Sequence, residues 1–119
     1  MRREAAFLED MVAEADLVLR YVAESSQERF LADPLLSRGV LHSLMIIGEA
    51  ANRMPPAVCD RYTEIPWRDL AGLRHRIIHD YPGVDLVLIW SLVAVKLGPL
   101  RDQLAAILKR DYGPAAPAV

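Results

Sequence analysis

The sequence has a single cysteine, Cys59, so no internal disulfide can staple it. It has no excess of one charge: 14 Lys and Arg stand against 16 Asp and Glu, a formal net of −2. That balance excludes a basic face spread over much of the surface, so any contact with nucleic acid has to be local. Long hydrophobic runs are absent too. The longest nearly pure apolar stretch, Leu86 to Val95, is about half of the ~20 residues a helix needs to cross a bilayer, and it belongs in a protein core. The start, MRREAAFLEDM, lacks the uninterrupted apolar segment of a signal peptide. These absences lead to the expectation of a cytoplasmic chain with no membrane contact.

What is present describes one folded domain. The chain has 119 residues, 53% hydrophobic and 25% charged, which is enough for one core and too apolar for disorder. Apolar residues recur at helical steps from the beginning: Phe7, Met11, Val18, Tyr21 and Val22 on one line, with Leu8, Val12 and Leu19 beside it. Asp33-Pro34 reads as an N-cap followed by a first helical position. The helix it opens carries Leu36, Val40, Leu44, Ile47 and Ala51 and ends near Arg53, where Met54-Pro55-Pro56 disfavours continuation. Residues 56–63 suit a short helix or turn. Pro66 then opens a helix with Trp67, Leu70, Leu73 and Ile77 at core spacing, expected to stop near Asp80 because Tyr81 precedes Pro82.

Asp85 can cap a last helix. The run LVLIWSLVAV also fits a buried strand, but the sequence offers no second strand to pair with it. Helical spacing resumes at Leu100, Leu104, Ile107 and Leu108, after an expected kink at Gly98-Pro99. The expectation is an all-α, antiparallel bundle of four to five helices over residues 1–112, with 113–119 a loose tail. Leu44, Ile47, Leu70, Ile77, Trp90 and Leu104 are its expected core residues.

Chemically versatile residues crowd into GLRHRIIHDYPGVD, where Arg74, His75, Arg76, His79, Asp80 and Tyr81 lie within eight positions. At ~100° and ~1.5 Å per residue, Arg74 and His79 are about 140° and ~7.5 Å apart on one helix. They can serve one ligand if the long arginine bends round or if His79 sits at a frayed end. Residue by residue, a solvated helix face explains the cluster as well, with His79 near the helix's terminal carbonyls. His75 and His79 at i, i+4 are half a zinc site, and neither His42 nor Cys59 has a spacing that completes it. Glu49, Asn52 and Arg53 precede the proline stop of the second long helix. They either support a site through hydrogen bonds or form that helix's polar face.

The spacing Arg74-x4-His79-x-Tyr81, with the flanks IIGEAANRMPP and IPWRDLAGLRHRIIHDYPGVD and the later LGPLRDQLAAIL, resembles the HepT-like ribonuclease toxins of the HEPN superfamily. The likeness covers nearly all the chain except the tail. It implies metal-independent cleavage of RNA, by attack of a ribose 2′-hydroxyl on the neighbouring phosphate. His79 would exchange protons, because an imidazole titrates near neutrality, and Arg74 would hold phosphate oxygens with its planar fork. One imidazole cannot be acid and base in one concerted step. The resemblance implies a homodimer whose two motifs face one cleft, a local positive cleft on a net acidic protein. It also implies a toxin–antitoxin system of type VII-like logic, in which a nucleotidyltransferase antitoxin of the MNT type silences the toxin by adding AMP to Tyr81. Arg76 either joins the cleft or is simply exposed.

One position departs from the pattern: many HEPN ribonucleases carry Asn directly after the motif arginine, where this chain has His75. Histidine can hydrogen-bond as Asn does but also titrates. A non-catalytic HEPN module that binds nucleotide or a protein partner would use the same basic cluster. A purely structural helical adaptor would leave the motif unexplained.

Overall fold

A computed structural model describes residues 2–113, and the side chains of residues 3–113. All regular structure among them is helical. Four long rods and two short helices follow one another: α1 (Arg2–Ala23), α2 (Gln27–Ala32), α3 (Pro34–Arg53), α4 (Pro56–Arg61), α5 (Trp67–Asp80), and a last rod made of α6 (Leu86–Ser91), a π turn (Leu92–Lys96) and α7 (Leu97–Asp111). Of the expected tail, only Gly113 lies within the described residues.

The starts and stops come from short-range chemistry. Asp33 accepts hydrogen bonds from the amides of Leu35 and Leu36, and Asp85 accepts one from Leu88, so each carboxylate satisfies donors that a helix start leaves open. α3 ends at Arg53 and Met54 turns to extended geometry ahead of the prolines. α5 ends at Asp80, and Tyr81 is extended before Pro82.

Burial follows most of the expected stripes. Leu44, Ile47, Ile77 and Leu104 are buried, and Leu70 and Trp90 are partly buried against the same core. Leu8, Met11, Ala15 and Val18 are the inward line of α1. Tyr21, expected on that line, is 48% exposed, because it falls in the last turn of α1, beyond the last buried residue, Val18. The core is made by α1 packing on α3 and α7, with α3 packing on α5. Polar ties join the rods at their edges. The Arg101 Nε meets Asp16 Oδ1 at 2.6 Å, Tyr62 donates to Asp111, and Tyr112 donates to Glu4 at 2.9 Å.

Two features depart from the sequence expectation. α2 is an extra short helix, capped by Ser26, whose hydroxyl accepts from Arg29 N, and anchored by the buried Phe30 against Trp90. The expected kink at Gly98-Pro99 is instead a π turn just before it, and Gly98 and Pro99 lie inside α7. Pro99 has no N–H, and its ring crowds the carbonyl four residues back, that of Val95 within the π turn. The wider turn absorbs the mismatch, and Leu97 N–H donates to Leu92 O, five residues earlier.

Candidate active site

The site begins with a glycine. A Cβ on Gly48 would stand 2.5 Å from Arg74 Cβ and 2.7 Å from the Leu70 carbonyl oxygen, so α3 and α5 approach more closely there than any side chain allows. The contact brings the next residue of α3, Glu49, against Arg74. Glu49 Oε1 lies 3.1 Å from Arg74 Nε, in a pair about a third exposed on the arginine side. Arg74 is therefore held from both sides, by backbone packing and by a carboxylate.

One position further round α5 and solvent-facing, His75 and His79 make a pair, with ring centroids 4.1 Å apart and planes tilted by 49°. This contact follows from i, i+4 spacing on a regular helix. Among the described residues no group of three or more His, Cys, Asp or Glu is placed to hold a metal ion. Tyr81 follows at the helix end, 47% exposed, its N–H donating to Ile77 O at 3.1 Å. Asp80 O accepts from Gly83 N at 2.6 Å, closing the turn beyond it.

The predicted residues do not all converge. Arg74, Glu49 and Arg53 line a cavity of about 300 Å³ between α1 and α3, which His79 does not line. Asn52 faces elsewhere, into a separate cavity with Cys59 and Asp69. Arg76 is exposed on the opposite flank of α5, at the rim of a larger cavity of about 760 Å³ between α5 and the π turn, lined by neither Arg74, His79 nor Tyr81. The sequence pointed to Glu49, but its pairing with Arg74 becomes apparent only once Gly48 is seen against α5. Phe7, Asp10 and His42, which also line the Arg74 cavity, carried no site signal in the sequence, since each reads as an ordinary position of its helix.

Residues 11–107 match the family described as Ribonuclease HepT-like. The chain belongs to that family. Among curated relatives, "Putative RNase TTE0752" of Caldanaerobacter subterraneus subsp. tengcongensis is 32% identical over 93% of this chain and 99% of its own length. "Probable ribonuclease HepT" of Thermococcus cleftensis is 32% identical over 91% of this chain and 98% of its own length. "Gamma-glutamylcyclotransferase and putative RNase MJ0434" of Methanocaldococcus jannaschii is 28% identical over 92% of this chain but only 50% of its own. No solved structure matches the chain. The fold expected of a HepT-like HEPN ribonuclease is the fold found, an all-helical bundle. No described helix is long and apolar enough to cross a membrane.

Proposed function

We propose that this chain is a metal-independent endoribonuclease, the toxin of a toxin–antitoxin pair, and that Arg74 and His79 carry its chemistry. The observation behind this reading is the Glu49–Arg74 pair beside exposed histidines on the same helix. Glu49 pairs with the guanidinium on its Nε side, which leaves the Nη1–Nη2 edge for a phosphate, clasped by two parallel hydrogen bonds. In the reaction the ribose 2′-oxygen bonds to the neighbouring phosphorus as a neutral imidazole takes its proton. The bond from phosphorus to the 5′-oxygen breaks, and a protonated imidazole gives that oxygen its proton. The products are a 2′,3′-cyclic phosphate and a free 5′-hydroxyl, and Arg74 steadies the charge that builds on the phosphate oxygens.

The attacking and leaving oxygens lie on opposite sides of phosphorus, so two rings 4.1 Å apart on one helix face do not flank it well. We assign His79 to proton exchange and His75 to orienting it, with the second proton-transfer group supplied by His79 of a second copy. Ile78, Val87 and Leu88 are all at least 40% exposed at the end of α5 and the start of α6, an apolar rim suited to a two-fold contact near the motif.

Tyr81 is the regulatory site in this reading. Its phenol is exposed, and no described residue holds it. The phenolic oxygen attacks the α-phosphorus of ATP on an MNT-type nucleotidyltransferase antitoxin, pyrophosphate leaves, and the resulting AMP group places an anion beside the phosphate-binding arginine. To test this, the purified chain is incubated with ATP, magnesium and its cognate nucleotidyltransferase. Intact mass and RNA cleavage are then followed together. Added AMP mapping to Tyr81 with loss of cleavage is expected, and Tyr81→Phe resists both. AMP on another residue, or equal silencing of Tyr81→Phe, would overturn the regulatory part.

A further inference from the structure

The cavity between α1 and α3 is lined, apart from Glu49 and Arg74, by groups that the proposed cleavage leaves unused. Phe7 and Asp10 come from α1, His42, Glu49 and Arg53 from α3, and Arg74 from α5. The Arg53 guanidinium carbon stands 5.5 Å from the Phe7 ring centroid, over its face. Asp10 and His42 are exposed, and neither has an ion-pair or hydrogen-bond partner among the described residues. A site for a bare anion would be lined by cations and amides. This one is mixed, with the Glu49–Arg74 pair, a guanidinium over an aromatic ring, and a carboxylate without a partner.

We propose that this cavity is a nucleotide subsite that seats one base of an RNA strand beside the phosphate held by Arg74. The proposal builds on the reading of Arg74 as a phosphate ligand. Bases of single-stranded RNA stack on aromatic rings and on guanidinium planes, and Arg53, supported from below by Phe7, offers its outer face for that purpose. Asp10, an acceptor without a partner, selects bases that carry an exocyclic amino group, as carboxylates do when they accept from cytosine N4. Uracil presents the O4 carbonyl where cytosine presents its amino group, so a carboxylate facing that position disfavours it. His42 adds a donor at the far side. The continuity is structural: Arg74 belongs both to the proposed catalytic pair and to the wall of this cavity.

The test is an NMR titration of the isotope-labelled full chain with CMP and, separately, UMP, in the presence of a metal chelator. CMP is expected to shift the amides of Phe7, Asp10, His42 and Arg53, and to bind more tightly than UMP. Arg53→Ala should weaken CMP about tenfold, the loss of one stacking contact. Asp10→Asn should remove the preference for CMP, since an amide both donates and accepts. Both positions are exposed, and unchanged thermal unfolding is expected of both variants. Absence of shifts at these residues, or shifts confined to 74–81, overturns the subsite even if the protein cleaves RNA. Shifts in the cavity together with no cleavage of any RNA would instead sustain the subsite and defeat the ribonuclease reading.

Discussion

In the proposed mechanism Arg74 holds the phosphate, Glu49 positions Arg74 and His79 exchanges the proton. His79→Ala removes the proposed proton-transfer group from an exposed surface, so cleavage should fall roughly 10²–10⁴-fold while thermal unfolding stays unchanged. Arg74→Lys keeps the charge but loses the fork, and a drop of about 10²-fold in kcat is expected. Retained activity in a His79→Ala preparation would move the chemistry to His75, whose ring touches it. Arg74, His79 and Tyr81 stood out as candidates by spacing and resemblance because they lie within one short segment of sequence. The pairing of Arg74 with Glu49 did not: Glu49 is 25 positions away, and only the tertiary approach at Gly48 decides whether it meets α5 or solvent.

The close crossing of α3 and α5 can be tested on two glycines. Gly48→Ala forces the helices apart against backbone and should destabilise the fold by ~1–3 kcal/mol. Gly72, on α5, meets nothing within 4 Å of an added Cβ, so Gly72→Ala should stabilise by up to ~1 kcal/mol through helix propensity. Chemical denaturation of the two variants should therefore move in opposite directions, and a common direction would contradict the proposed packing. Helix boundaries were readable where a capping carboxylate or a proline fixed them locally, as at Asp33-Pro34, Pro55-Pro56 and Asp85. α2 escaped because six residues with one buried apolar anchor, Phe30, show no periodicity. The π turn escaped because Pro99 says only that a strain must be absorbed, and not at which residues.

At the scale of the whole molecule, α1 and the residue that follows α7 meet where Tyr112 donates to Glu4. Burial, helped by that bond and by the charge of Glu4, pushes the Tyr112 phenol up to about 12 from 10.0. The folded state thus holds this proton more tightly than the unfolded chain. Its contribution to stability is complete below pH 10.0 and is lost as pH rises towards about 12, and Tyr112→Phe should flatten that part of a stability–pH curve. Assembly is the second property at this scale. Light scattering should show a dimer at micromolar concentration, and Val87→Glu, at the exposed rim, should give monomers that no longer cut RNA. A fully active monomer would return both proton transfers to one chain. The whole account depends on the chemistry of the break itself, and the most direct measurement is mass spectrometry of the ends produced when the purified chain meets a defined single-stranded RNA in excess chelator. The account predicts 2′,3′-cyclic phosphate and 5′-hydroxyl ends that vanish with His79→Ala. Ends carrying a 5′-phosphate, or cleavage that stops when metal is removed, would contradict it.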